Sequence, residues 1–415
     1  MRRYKYILLL FPMLLGIIVN GQNSLNEYLI EAAENNPGLK SYFNEYLSAL
    51  EKIPQAGALP DPQITFGYLI QPVETRVGAQ QARISVMQMF PWFGTLGAKK
   101  DVETEIAKSK YEIFEEAKSR LFYDIKSTYY NLYFTDKAIV ITRENIDILN
   151  TFRKLALIKV ESGLASAVDV LRAEMEIADL ENQLAMLRDM FFSLQVSFNN
   201  LLNVEEQRKV SLQEVLPVVD IEPGSESILD SIRYGNHQVL QLEFIEASFL
   251  SREKVASKAG KPGFSIGVDY MIMGESTSPM TDADESGRDA IVFPMVGITI
   301  PLYRQKYKAM VKEAIYLQEA TLNKKAEKVN VLETAYAKTD KDYRDADRRI
   351  PLYNVQSNRA VKAIKILETE YATIGKNFEE ILRMERQLLK YRLELEKARA
   401  DKNAAVAFIN YLMGK

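Results

Sequence analysis

An apolar heptad seam that occurs twice constrains the fold of this chain more than any other feature. From Val170 to Leu201, apolar residues recur in alternating steps of three and four positions without a slip. Adding 211 to each number gives a second seam from Ile381 to Leu412, in which only Lys402 is neither apolar nor aromatic. Such sustained alternation is typical of helices in a left-handed supercoil. The sequence therefore predicts coiled-coil helices in both halves of the chain.

Other residues recur in the same order and extend the repeat towards the N-terminus. The matches at spacings of 200 to 210 pair Asn36, Pro62, Gly67 and Pro91 with Asn236, Pro262, Gly267 and Pro301. Self-similarity over this length indicates an internal duplication. We predict a first structural repeat at 22–202, a linker at 203–234 and a second repeat at 235–415.

Four short segments alternate in polarity with period two, at about 62–70, 82–90, 263–272 and 292–300. In the first, Ile64, Phe66 and Tyr68 share one face, and Gln63 and Thr65 the other. Nine to eleven alternating residues predict a β-strand that can cross a membrane at a tilt of about 45°. A soluble sheet with one buried face is the alternative interpretation.

The number of strands limits how a membrane sheet can be completed. An open edge in lipid leaves unpaired backbone amides, and spanning barrels have at least about eight strands. One chain supplies four, so closure requires at least two chains, and three chains would supply twelve.

Helices are predicted at about 96–161, 166–202, 304–371 and 377–413. At 1.5 Å per residue, the first would be about 100 Å long. Gly163 interrupts the apolar pattern and Ser166 follows it as a candidate N-cap, which predicts a turn between the first two helices. Pro351 should kink the third helix.

The N-terminus has the features of a secretory signal peptide. Three positive charges precede an apolar run from Ile7 to Val19, which is shorter than the roughly 20 residues of a spanning helix. We predict that 1–21 is removed and that the protein is exported.

Composition and motifs exclude several classes of function. The net charge of −3 and the absence of cysteine argue against nucleic-acid binding, disulfides, thiolate metal sites and thiol catalysis. His237 is the only histidine and aligns with Pro37 of the first copy. Phosphate-loop, HExxH and nucleophile-elbow motifs are missing from the sequence. We therefore expect a protein that is not an enzyme and has no cofactor and no metal site.

The layout of both copies resembles the TolC-type outer-membrane efflux family. The resemblance rests on LPDPQITFGY at the first strand, MFPWFG after the second, the turn GLASAVDVLRAE, and the recurrence of this layout. It implies a mainly α fold with membrane β: a trimeric twelve-stranded outer-membrane β-barrel, continuous with a long α-helical coiled-coil barrel in the periplasm. The linker would belong to an equatorial collar.

The resemblance also implies a function. Family members are homotrimeric exit ducts of tripartite efflux pumps, set in outer-membrane lipid and docked to a periplasmic adaptor (membrane fusion) protein and an inner-membrane transporter. A type I secretion exit duct is an alternative role, and a soluble periplasmic coiled-coil adaptor or scaffold is an alternative class. The stretch VETRVGAQQARISVMQMFPWFG is similar to copper/silver efflux members, so heavy metals join drugs and proteins as candidate cargo.

In this family the turns at the periplasmic tips of the helices receive the adaptor. The matching residues are Ser162, Gly163, Leu164, Ser166, Ile374, Gly375 and Asn377. Lys376 departs from the family pattern in the second turn. The alternative is that all of these are ordinary helix-turn residues.

Asp169 and Glu380 occupy equivalent positions in the two copies, 211 apart. The family has acidic residues at the second of these positions, so Glu380 is a candidate for a ring of three carboxylates at the pore constriction, with Asp169 as its counterpart. Such a ring would attract cations. Arg383 stands where the family often has another acid, and pairing with Glu380 across chains would lock the gate. A solvated helical glutamate is the alternative.

Overall fold

The computed structural model describes residues 23–75, 78–221, 224–274, 290–374 and 377–415. The predicted signal peptide lies outside these residues. The elements in chain order are α1 (Asn23–Asn35), α2 (Pro37–Gly57), β1 (Gln63–Thr75), β2 (Gly78–Phe90), α3 (Thr95–Glu161), α4 (Ala167–Leu202), α5 (Ser225–Gly235), α6 (His237–Ala259), β3 (Gly263–Met273), β4 (Ala290–Thr299), α7 (Arg304–Ile374) and α8 (Phe378–Leu412). Two helices, two strands and two helices thus occur twice in the same order.

The short helices before each strand pair have no counterpart in the sequence predictions. These are α1 and α2 in the first copy, and α5 and α6 in the second. Within the predicted linker, 203–234, α5 begins at Ser225 and covers the last ten residues. α5 has only eleven residues, too few turns for its apolar residues to show a clear helical period, although Ile228 and Ile232 are buried.

The chain forms two compact units, and each contains parts of both copies. Among the described residues, the first unit consists of 23–37, 120–221, 339–374 and 377–409, and the second of 38–75, 78–119, 224–274, 290–338 and 410–415. Within the described residues, no helix combines the length and hydropathy needed to cross a membrane.

The heptad seams form much of the core of the first unit. Buried seam residues of α4 and α8 pack with α3 residues in one cluster, which includes Leu149, Phe152, Ala173, Ile177, Leu180 and Ile381. α7 runs without a break from Arg304 to Ile374 and includes Pro351. The kink expected at this proline remains a prediction.

Lys402, the exception in the second seam, holds the segment that links the two copies. Its buried ammonium pairs with Asp220 and, at 2.7 Å, with Asp347. The next residue, Asn403, accepts a hydrogen bond from Val219 N (3.0 Å) and donates one to Pro217 O (2.8 Å). Lys402 therefore forms ion pairs at a seam position where the other residues are apolar or aromatic, and these ion pairs help to fix the path of the linker.

The four strands form one antiparallel sheet in the order β1-β2-β3-β4 within the second unit. β1 and β2 extend beyond the predicted 62–70 and 82–90 towards the hairpin that joins them. The register shifts between Tyr68 and Val73, next to Pro72, which has no amide to donate to the ladder. β1 and β4 are the two edges of the sheet.

Burial in this sheet is inverted relative to a soluble protein. On one face, apolar side chains such as Ile70 (90% exposed) and Val296 (79%) point to the outside of the chain. On the other face, Ser85, Ser265 and Asp269 are buried. Because a soluble antiparallel sheet turns its apolar face to the core, the alternative of a sheet buried within its own chain does not fit.

Candidate functional sites

The turn between α3 and α4 is built by its glycine and its serine, as the sequence predicts. Leu164 N donates to Lys159 O (2.8 Å) and Gly163 N to Val160 O (2.9 Å), the Schellman pattern that ends a helix. Gly163 has φ +68°, a conformation that glycine adopts without steric cost. Ser166 Oγ then accepts a hydrogen bond from Val168 N at 3.2 Å and caps α4.

Exposure makes this turn available to a partner. Ser162 and Leu164 are exposed, and Leu164 presents 58% of its surface. Apart from Gly163 itself and its two neighbours in the chain, no described residue has an atom within 4 Å of the place where a Cβ on Gly163 would sit. The turn therefore offers an apolar side chain beside open backbone.

The second turn is capped differently. α7 ends at Ile374, whose side chain, like all of Gly375, lies outside the described residues. Asn377 adopts φ +69°, and its Nδ2 donates to Glu370 Oε1 at 2.9 Å. Asparagine tolerates the left-handed region better than most residues, so it marks the boundary before α8.

The two turns lie close together within the first unit. Lys159 Nζ, near the end of α3, donates to Ala372 O, near the end of α7, at 2.6 Å. Arg172 of α4 pairs with Glu379 of α8 at 3.1 Å. The structure thus brings the end of α3 close to the end of α7, and the start of α4 close to the start of α8, next to the candidate docking residues.

The gate candidates repeat not only in position but also in their ion pairs. Asp169 pairs with Arg172 at 3.6 Å, three residues on. Glu380 likewise pairs with Arg383, three residues on, whose Nε donates to Glu380 Oε2 at 3.0 Å. Arg383, considered above as a partner of Glu380 across chains, therefore contacts Glu380 of its own chain.

Asp169 and Glu380 differ in their surroundings. The Asp169 side chain is mostly buried, and burial together with the charge of Glu379 raises the pKa of its carboxyl group, against the opposing effect of Arg172. The Glu380 side chain is 45% exposed. Both acids lie in the first turn of a helix, where the macrodipole stabilises negative charge.

Glu385 has the most strongly raised pKa among the described carboxyl groups of the first unit. It is 3% exposed and accepts a hydrogen bond from Asn145 Nδ2 at 3.3 Å. Burial and, secondly, the charge of Glu368 raise its pKa to about 7, although Arg392 and the Asn145 hydrogen bond act in the opposite direction. Its position directly after seam residue Met384 is the sequence signal for its burial.

The polar face of the sheet contains a buried carboxylate. Asp269 is 0% exposed, accepts a hydrogen bond from Ser85 Oγ and pairs with Arg83. Arg83 Nε also donates to Ser85 Oγ at 3.0 Å. This network pairs Arg83 and Asp269, the charged side chains on the polar face of the central strands.

His237 has a partner in the second unit. His237 is the first residue of α6, and its Nδ1 lies 2.8 Å from Oε2 of Glu112 in α3. Within the described ranges, no group of three or more histidine, aspartate or glutamate side chains is arranged to hold a metal ion.

The chain has the fold of solved bacterial channel and outer-membrane proteins. CusC, whose structures concern folding and transmembrane channel formation, superposes with a TM-score of 0.78 at 14% identity, over 94% of this chain and 92% of that chain. The outer-membrane channel OprN gives 0.79 at 16% identity, over 94% and 90%. VceC, an outer membrane protein of Vibrio cholerae, gives 0.76 at 14% identity, over 94% and 96%. No protein-family model and no curated protein sequence matches the chain.

Proposed function

We propose that this protein is an outer-membrane exit duct of a tripartite efflux pump, a passive channel rather than an enzyme. The inverted sheet carries the proposal, because an exposed apolar face opposite a polar face suits strands with lipid on one side and water on the other. The shared fold with OprN and VceC, an outer-membrane channel and an outer membrane protein, supports the same location.

Three chains complete the duct. Each chain ends its sheet at β1 and β4, and an unpaired edge in lipid costs several kcal/mol for each amide left without a partner. Pairing β4 of one chain with β1 of the next removes both edges, and three chains give twelve strands. The strand count is compatible with two or more chains, and the resemblance to the TolC-type family favours the homotrimer.

Cell fractionation tests this function directly. We expect the protein in the outer-membrane fraction, extractable only with detergent, and migrating as an oligomer that heat converts to monomer. A soluble monomer in the periplasmic fraction would support the adaptor alternative and contradict the duct.

We propose that the adjacent turns at 162–166 and 374–377 dock the periplasmic adaptor, through which the inner-membrane transporter is reached. Leu164→Glu places a charge on an exposed apolar contact and should abolish efflux while leaving the oligomer in the outer membrane. Arg188→Glu, at an exposed position of α4, is the control. Loss of the oligomer in Leu164→Glu would instead make the turn structural.

We propose that Glu380 lines the pore constriction, with its charge offset by Arg383 of the same chain. Single-channel recordings should show that Arg383→Gln increases cation preference, since it frees the carboxylate, and that Glu380→Gln decreases it. Glu379→Gln is the neighbouring control, because Glu379 pairs with Arg172. Unchanged selectivity in both Glu380 and Arg383 variants would remove these residues from the pore.

A further inference from the structure

A cleft of about 310 Å³ lies in the second unit, where the strands meet the helices. Its lining comes from the end of β2, the start of α3, the end of α6 and the start of α7. The apolar lining includes Phe90, Trp92, Leu302 and Tyr303, and the polar side chains include Thr95, Lys258, Lys261 and Thr299. The lining thus has the character that an amphiphile requires: an apolar wall and a cationic rim.

Most of the charge close to this cleft is positive, although Glu253 lines an adjoining cavity together with Trp92, Lys258 and Lys261. The segments 91–100, 254–262 and 299–312 each contain lysine or arginine and contain no aspartate or glutamate. α3 and α7 also begin here, and neither has an acidic residue in its first turn. Acidic residues are favoured near a helix N-terminus, so basic side chains at two such ends concentrate positive potential that an anion would offset.

Among the polar side chains of the cleft, Lys258 is held by a hydrogen bond, and Thr95 is buried without a partner for its hydroxyl in the described part of the chain. Lys258 Nζ donates to Phe93 O at 3.2 Å, and it would lie 2.9 Å from a Cβ on Gly94, where φ is +73°. Thr95 is 5% exposed, and its Oγ1 has no hydrogen-bond partner among the described residues. A buried hydroxyl without a partner is unfavourable, so a ligand that accepts a hydrogen bond from it would remove this cost.

The aromatic wall fits the boundary between lipid and water. Trp92 stacks on Phe264 with ring centroids 5.9 Å apart, and Phe93 packs against the edge of Trp92 at 5.8 Å. Leu302 and Tyr303 are 77% and 83% exposed. Aromatic rings are enriched where a membrane surface meets water.

We infer that this cleft binds an anionic glycerophospholipid, with the phosphate between Lys258, Lys261 and Thr95 Oγ1 and the acyl chains along Trp92, Leu302 and Tyr303. The inference rests on the proposed membrane location and adds to it a specific headgroup charge. Since the cleft lies on the helical side of the strands, the lipid would belong to the periplasmic leaflet.

Trp92 is the only tryptophan in the chain, so its fluorescence reports on the cleft directly. The full protein would be reconstituted in nanodiscs of unlabelled phosphatidylcholine that contain either dibrominated phosphatidylglycerol or dibrominated phosphatidylcholine. Bromine quenches tryptophan on contact. We expect brominated phosphatidylglycerol to quench Trp92 at a concentration at least about fivefold lower than brominated phosphatidylcholine does. This factor corresponds to the attraction between one lysine and an anionic lipid.

Matched variants separate the site from general charge. The double variant Lys258→Gln/Lys261→Gln should reduce the preference for phosphatidylglycerol, expressed as the ratio of the two quenching concentrations, to about one. Thr95→Val should lower this ratio less. Lys324→Gln, an exposed lysine of the same unit, should leave it unchanged. An unaltered oligomer on gels would show that each variant folds.

Two results would overturn the inference. Equal quenching by the two lipids would remove the anionic site but leave membrane insertion and the proposed duct intact. Quenching by neither lipid in a properly inserted oligomer would place Trp92 away from lipid altogether. Native mass spectrometry of the detergent-extracted protein gives an independent check, because retained phosphatidylglycerol should be lost in the double lysine variant.

Discussion

A lysine at Val268 should prevent assembly of the barrel, because it would put a charge in the middle of the lipid-facing surface. Val268 lies opposite Val86 on β2 and Pro294 on β4, and its side chain is 45% exposed in the single chain. It is five residues from Gly263, the start of β3, which is about 17 Å along the strand and about 12 Å in depth at a tilt of 45°. The ammonium would therefore sit far from either interface.

The expected cost follows from this depth. Lysine at the midplane of a membrane barrel costs about 2–4 kcal/mol in each chain, hence roughly 6–12 kcal/mol for three chains. This equals the whole stability of a typical domain. Thr65→Lys is the control, since Thr65 is exposed on the opposite, polar face of β1, where a surface substitution costs roughly 0.5 kcal/mol or less.

The assay is the amount of heat-modifiable oligomer in outer-membrane fractions. We expect Val268→Lys to reduce it to a few per cent of the wild-type amount and Thr65→Lys to leave it nearly unchanged. Equal assembly of the two variants would refute the assignment of the lipid-facing and water-facing surfaces.

Two further predictions concern the first unit. The raised pKa of Glu385, about 7 against an ordinary 4.5, means that the folded chain keeps a proton that the unfolded chain loses, so stability should fall as the pH rises from about 4.5 to 7. Glu385→Gln should raise the unfolding temperature at pH 8 but not at pH 4, and an identical pH dependence in both proteins would contradict this. Asn403→Leu removes two hydrogen bonds to the linker. Amide exchange at Val219 should then accelerate at least about fivefold, and unchanged exchange would show that other contacts hold the segment.

The duplication and the strands were predictable because their signals are periodic over many residues. The seam from Val170 to Leu201 and its copy predict helices α4 and α8. The alternation at Ile64, Phe66 and Tyr68 predicts which face of β1 is apolar. The turn at Gly163 was predictable too, since a glycine followed by a capping serine has a direct physical meaning. These features depend on local sequence alone.

Contacts between distant residues were not predictable in the same way. Lys402 could be recognised as an exception in its seam, but its partner Asp220 lies 182 residues away. Burial raises the pKa of Glu385, and the hydrogen bond from Asn145, 240 residues earlier in the chain, opposes this rise. The pairing of Glu380 with Arg383 within the chain is local, yet the resemblance directed attention to a pair across chains.

The closing of one barrel by three chains is the central claim, and disulfide cross-linking tests it most directly. The chain has no cysteine, so Thr65→Cys on β1 can be combined in turn with Phe293→Cys, Met295→Cys or Gly297→Cys on the same face of β4. Within one chain these strands are separated by two others, about 14 Å, which is beyond the reach of a disulfide. Oxidation of intact cells should therefore link neighbouring chains in at least one combination, up to three chains and no further. Monomers alone in every combination, or a ladder longer than three, would contradict the account.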